Sequence, residues 1–175
     1  IPGSSLKGAL RTILLADELL YDPDKKRNAQ RIIKKGLKES RPGKRYLGRE
    51  MKEIEQQIFH LLEYKTDQRN SVQDIMRGII ISDSKPLSLS DLTVCQQIDS
   101  NVKGTKKRLP IMRECIRPGR KIEFTMTIDE SMNQATDETI LTAVNNFLEI
   151  YQKFLLKFKM QDNAENMIYI GGAVG

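Results

Sequence analysis

Tryptophan is absent, histidine occurs once, as His60, and cysteine twice, as Cys95 and Cys115. One histidine excludes a multi-histidine zinc site and leaves little from which to build a nucleophile–base triad. The cysteines are far apart in the sequence and show no metal-ligand spacing, so they read as small buried hydrophobes kept reduced in a cytoplasm. Long apolar runs are also missing: none approaches the length of a membrane span. The opening Ile1-Pro2-Gly3 has neither an initiator Met nor the layout of a signal peptide. A cytoplasmic chain without membrane contact is expected. The closing Gly171-Gly172-Ala173-Val174-Gly175 stops inside a glycine-rich run, so we read the sequence as an internal piece of a longer protein. Its 175 residues fit a single domain over 1–175.

Charge is plentiful, and it is unevenly spread. Twelve Lys/Arg fall between Lys25 and Lys52, opposed only by Glu39 and Glu50, a local net of +10 in a chain whose total is +6, so the rest is net −4. Such a block is the electrostatic footprint of a polyphosphate partner; a solvated helical face has the same composition. Lys34, Lys35 and Lys38 lie at its centre. Lys103, Lys106, Lys107, Arg108 and Arg113 form a second, looser basic group, continued by Arg117 and Arg120. Aromatic residues, at 6%, are too few for base stacking across a broad aromatic sheet, so backbone tracking through cations and amides is the better expectation.

Hydrophobic periodicity predicts a helix from near Leu6, capped by Ser4 and Ser5, with Leu6, Ala9, Leu10, Ile13 and Leu14 on one side. Lys7, Gly8 and Arg11 share the opposite side. Tyr21-Asp22-Pro23 should end it, because the residue before proline avoids the helical region. The basic segment follows, interrupted at Arg41-Pro42-Gly43, and a second amphipathic helix is predicted over 49–64 with His60 on its polar side. Gly78–Ile81 reads as a buried strand leading to Ser82-Asp83-Ser84, and Leu92–Ile98 as a weaker strand. Ile122, Phe124, Met126 and Ile128 alternate with polar residues as in a half-buried strand. Pro118-Gly119 suits the centre of a type II turn, which predicts a hairpin of Leu109–Ile116 with that strand and a basic tip at Arg117 and Arg120. A long helix over 137–158 and a last strand, Met167–Ile170, complete the pattern. The order helix, strand, strand, helix, strand needs one upstream strand to become the α+β, ferredoxin-like arrangement shared with RNA-recognition modules.

Gly3 to Gly8 has the outline of a phosphate-binding loop, but Ala9-Leu10 stands where Lys-Ser/Thr is required, which rules out nucleotide hydrolysis by that motif. What is left is a Gly-Ser-Ser helix entry, favourable to a phosphate, with Lys7 and Arg11 on the next turns. Gly8 either admits a backbone between those cations or packs tightly on another helix. Asp17-Glu18, Glu53/Glu55 and Asp129-Glu130 have no partner histidine and read as surface or capping groups. Asp83 sits at a strand end, where both functional and turn-stabilising acids occur. No catalytic residue, metal or cofactor is expected.

The run Ile1-Pro2-Gly3-Ser4-Ser5-Leu6-Lys7-Gly8-Ala9-Leu10-Arg11-Thr12 resembles the glycine–serine helix entry of the RAMP superfamily of CRISPR proteins. Ser82-Asp83-Ser84-Lys85-Pro86, Gln97-Ile98-Asp99, Leu109-Pro110 and Arg113-Glu114-Cys115-Ile116 follow in order, and Tyr169-Ile170-Gly171-Gly172 resembles the start of the family's glycine-rich loop. The ordered set is similar to the Csm-type subunit that caps the crRNA 3′ end in type III-A effector complexes. It skips the stretch of about 22–74, which reads as a basic helical insertion into a RAMP fold cut at both ends. The resemblance implies a non-enzymatic crRNA-binding subunit, cytoplasmic, that contacts crRNA and target RNA. It also implies docking on Csm backbone neighbours, and 3′-end maturation by capping or through a host trimming nuclease. The alternative within the superfamily is an endoribonuclease that processes precursor crRNA. The expected RNA-binding residues are Gly3, Ser4, Ser5, Lys7, Gly8, Arg11, Lys34, Lys35, Lys38, Lys106, Lys107, Arg108, Arg113, Gly171 and Gly172.

Overall fold

The computed structural model describes residues 1–39, 47–60, 73–100, 105–133, 135–155 and 165–170. Among the described residues, four α-helices, α1 (Gly3–Tyr21), α2 (Pro23–Glu39), α3 (Gly48–Phe59) and α4 (Asp137–Ile150), combine with four strands. The strands are β1 (Ile79–Ile81), β2 (Leu92–Ser100), β3 (Lys106–Ile116) and β4 (Met126–Ile128). They form two antiparallel pairs, β1 with β4 and β2 with β3. The protein is therefore an α+β fold, and its centre runs α1–β1–β4–α4, the helix–strand–strand–helix order expected from the sequence.

Helix α1 lies between two apolar clusters because its hydrophobic residues cover more than one face. Leu10 and Ile13 pack with Ile140, Ala143 and Val144 of α4. Leu15 turns the other way, to Ala29 and Ile32 of α2, Ile54 and Phe59 of α3, and Met76 and Ile79 leading into β1. Phe59, Ile54 and Ile79 are the most completely buried large side chains described. The segment expected as an insertion thus shares a core with α1 and β1. Gly36 and Glu50 mark where α2 and α3 cross, since a Cβ on Gly36 would come within 2.5 Å of the Glu50 side chain.

Several predicted boundaries shift. Helix α1 starts at Gly3, not near Leu6, with Pro2 at the cap position, so Ser4 and Ser5 lie in the first turn and neither caps the helix. Tyr21-Asp22-Pro23 ends α1 as predicted, yet α2 starts at once. Asp22 accepts from the N–H groups of Asp24 (2.9 Å) and Lys25 (3.1 Å), which caps α2. The bond from the Lys25 N–H holds the Asp22 carboxyl below the usual carboxylate range. Gly78–Ile81 is half-buried, not buried throughout: Ile79 is fully covered, whereas Ile80 is 59% exposed.

The larger correction concerns strand partners. Segment 122–128 does not pair with 109–116. It runs beside the β1 end of the chain: Ile79 pairs with Ile128 and Ile81 with Met126. Two backbone bonds of 2.9 Å, from Ser82 N–H to Thr125 O and from Lys85 N–H to Glu123 O, continue that alignment. β3 pairs with β2 instead, from Leu92↔Ile116 to Ser100↔Lys106, with a register shift between Gln96 and Ile98. Pro118-Gly119 does turn the chain, with Gly119 at φ 77°, but it joins the two sheets and is no hairpin tip. Met167–Ile170 forms no ladder among the described residues; Ile168 packs against the α1–α4 cluster, and Tyr169 stacks on Tyr151 at 4.7 Å. The end predicted for the long helix, near 158, lies outside the described residues, as does Arg41-Pro42-Gly43. The second helix, predicted over 49–64, instead stops at Phe59, and His60 is extended and bridges to Asp74 rather than lying on a helical polar side.

Candidate nucleic-acid interface

The α1 entry is built by a close approach of helix to strand. Gly3 is buried, and a Cβ there would lie 2.3–2.4 Å from the carbonyl oxygens of Ser82 and Ile81, which only glycine avoids. The Gly3 N–H donates to Asp83 Oδ1 at 2.9 Å. Asp83 is therefore the acid that faces the positive end of the α1 dipole, and Gly3 is a packing residue, not a contact surface. Ser4 and Ser5 are exposed, Lys7 is half-buried, and Gly8 is exposed, with nothing beyond its own stretch of α1 within 4 Å of where its Cβ would stand among the described residues. Of the two readings of Gly8, the helix-packed one does not hold among the described residues.

Arg11 departs from its expected role. Its guanidinium donates to Asp74 Oδ2 at 2.6 Å, lies 3.5 Å from Glu55 and stacks 4.4 Å from the centroid of Phe59. These contacts turn it toward α3 and make it part of the fold. The open entry surface is thus Ser4, Ser5, Lys7 and Gly8.

The β2–β3 hairpin carries the second basic group, reversed end for end from the prediction. Lys106, Lys107 and Arg108 open β3, opposite Ser100, Asp99 and Ile98, at the end away from the sheet junction. All three are exposed. Arg113, midway, donates to Gln97 Oε1 at 3.3 Å. Arg117 and Arg120 sit at the base, where Arg117 Nε donates to Leu92 O at 3.0 Å and Arg120 pairs with Asp91 at 3.2 Å. Cys95 faces Arg113, and Cys115 faces Thr93, so alternation puts both thiols on one face of the hairpin. Cys95 is exposed, which corrects the expectation of two buried thiols. Partial burial, and then the neighbouring Cys95, push the Cys115 thiol upward.

The third group is α2. Its buried seam of Ala29, Ile32 and Gly36 leaves Arg27, Arg31, Lys34, Lys35 and Lys38 exposed. Gly171 and Gly172 lie outside the described residues. Among the described residues, no three His, Cys, Asp or Glu side chains come together as a metal site, and no helix is long and apolar enough to cross a membrane.

Residues 1–174 match the family described as the RAMP superfamily. The chain belongs to the RAMP superfamily. It is 34% identical over 134 residues to the CRISPR system Cms protein Csm5 of Mycobacterium tuberculosis, covering 75% of this chain and 32% of that protein. It is 31% identical over 180 residues to the Csm5 of Streptococcus thermophilus, covering 100% of this chain and 44% of that one. The RAMP chain thus spans less than half the length of these curated relatives. Its fold resembles a chain in a cryo-EM structure of a Csm–crRNA–target RNA ternary complex of a type III-A CRISPR-Cas system. That likeness has a TM-score of 0.55 at 22% identity and covers 88% of this chain and 49% of the other.

Two residues that hold α1 in place, Asp83 and Asp74, have roles that the sequence does not show. Asp83 was visible only as an acid between serines, and nothing local tied it to Gly3. Asp74 gave no signal, because its partner Arg11 reaches it only after α1 and α3 pack.

Proposed function

We propose that this chain is part of a crRNA-binding, non-catalytic subunit of a type III-A Csm effector complex, one that caps the crRNA 3′ end and supports its maturation. The observation that carries the reading is the open α1 entry. Gly8 presents bare backbone beside Lys7 and the exposed Ser4 and Ser5, within the motif that resembles the superfamily's helix entry. A phosphate can approach a glycine more closely than any other residue, while the serine hydroxyls donate and Lys7 supplies charge. Lys106, Lys107 and Arg108 offer a second set of backbone contacts on the hairpin. Contacts of this kind position an RNA without reading its bases.

Superfamily membership and the Csm5 relatives support the choice of complex. Csm backbone subunits and target RNA are the further partners of this reading, with a host trimming nuclease acting on the exposed RNA end.

The test is to assemble the complex with and without the full-length protein and sequence the 3′ ends of the bound crRNA. Uniform 3′ ends with the protein, and longer or ragged ones without it, are expected. Identical 3′ ends in both would overturn the capping role. Cleavage of labelled precursor crRNA by the purified protein, lost on a point substitution in this chain, would replace it with a processing endoribonuclease.

A further inference from the structure

We propose that the exposed face of α2 is a phosphate ladder, a surface that grips the RNA sugar–phosphate backbone over several nucleotides and is separate from the α1 entry. The choice of RNA rests on the crRNA-binding reading above; the rest follows from the geometry of one helix.

Arg27, Arg31, Lys34 and Lys38 recur at intervals of four, three and four residues, so they stand in a single row along α2. At ~1.5 Å of rise per residue the row is about 16 Å long. A row of that length can face several successive phosphates of one strand. Lys35 and Gln30 flank it, and these six side chains line one shallow depression. A shallow trough of cations with one neutral hydrogen-bonding side chain suits a chain of phosphates better than a compact anion.

The row cannot turn away from solvent. Ala29, Ile32 and Gly36 are buried on the opposite side, in the same cluster as Phe59 and Ile79 or against α3. Rotating α2 to relieve its charge would expose that seam. Like charges one turn apart, as at Arg31/Lys35 and Lys34/Lys38, weaken a helix. Arg27 is offset by Asp24, and Arg31 donates to Asn28 Oδ1 at 2.8 Å. Lys34, Lys35 and Lys38 have no carboxylate partner among the described residues. The C-terminal half of α2 therefore holds a concentrated charge with no carboxylate partner among the described residues, and a polyanion relieves it.

A protein partner fits less well. The centres of protein interfaces are depleted in charge and enriched in aromatic side chains. The α2 row contains no aromatic residue, and Leu37, 48% exposed, projects to the side of it.

The experiment uses the full-length protein, a crRNA and a scrambled RNA of equal length, with affinity measured across a salt series. Lys34→Glu, Lys35→Glu and Lys38→Glu are combined in one variant, and the three Lys→Gln changes in a second, milder one. Helical circular dichroism checks that both fold. The glutamate variant should lose affinity equally for both RNAs. The Lys→Gln variant should lower the slope of log K against log salt by about two units, three contacts at about 0.7 each on a single strand. An unchanged slope in both folded variants overturns the ladder while leaving crRNA binding by the wild type intact. Failure of the wild type to bind crRNA overturns the parent reading and the ladder with it. Normal RNA binding with lost assembly onto neighbouring subunits assigns the face to an acidic protein partner and overturns the proposal.

Discussion

The α2–α3 pair and the β2–β3 hairpin both interrupt the same α1–β1–β4–α4 centre, yet they are held in opposite ways. The helical pair contributes Ala29, Ile32, Ile54 and Phe59 to a cluster that includes Leu15 and Ile79 of the centre. Among the described residues, the hairpin contributes nothing to either buried cluster, and Val94 and Met112 are each 62% exposed on it. The polar contacts at its base, from Arg117 and Arg120 to Asp91, close the ribbon on itself. Position in the chain therefore says little about integration. A seam of buried side chains makes an interposed segment part of the core, and its absence leaves a ribbon stabilised mainly by its own ladder.

That contrast can be broken most directly at Phe59, which is 1% exposed and lies under the Arg11 guanidinium. Phe59→Ala should cost about 3–5 kcal/mol, the usual range for emptying an aromatic core site. Urea unfolding followed by circular dichroism should show α2, α3 and the centre lost in one transition. An independent early melting of the helical pair would mean that the shared cluster does not couple them.

Gly3→Ala is the next largest effect. The new Cβ would press on two backbone carbonyls that cannot swing aside, so a loss of about 1–3 kcal/mol is expected from overpacking. A thermal midpoint equal to that of the wild type would show that α1 can withdraw from β1 freely.

The hairpin should respond far less. Val94→Ser with Met112→Ser should change unfolding free energy by no more than about 0.5 kcal/mol, as for other exposed sites. A larger loss would show that this face is covered by the body of the protein.

The smallest effect concerns the ion pair that joins the segment after β1 to the one before β4. Lys85 donates to Glu123 at 2.6 Å, which lowers the Glu123 carboxyl and raises the Lys85 ammonium. The carboxylate contribution is present above the unfolded carboxyl value and lost as pH falls through the lower folded one. The ammonium contribution is present below the unfolded lysine value and lost as pH rises through the higher folded one. Lys85→Met should therefore return the Glu123 titration, followed by NMR, toward the ordinary glutamate value. Lys121, 3.3 Å from Glu123, should keep that return incomplete.

Much of the helical framework was legible in the sequence. Leu10 and Ile13 of α1, and Ile140 and Val144 of α4, repeat at helical spacing, and they are the residues that meet between the two helices. The capping of α4 by Thr136 and Thr139 lies where its predicted start demanded. The alternation over 122–128 marked a strand that forms only over Met126–Ile128, with Met126 40% exposed, and alternation carries no information about which strand lies alongside. Proximity in sequence, with an intervening Pro-Gly turn, pointed to 109–116, while packing placed 126–128 on β1. The candidate site was legible in the same uneven way. The cations of α2 and β3 stand exposed where their composition suggested, whereas Arg11 is drawn into the fold by two carboxylates and an aromatic ring from distant segments.

The sequence by itself determined the amphipathic seams of α1 and α4 and the concentration of positive charge between Lys25 and Lys52. Those depend on the residues of one helix, or on composition, and need no partner. Only the tertiary structure decided that Asp83 would meet Gly3, that Asp74 would claim Arg11 and that β4 would pair with β1. Each is a contact between residues far apart in the chain, and which of several compatible partners is reached is settled by the packing of the apolar clusters around them.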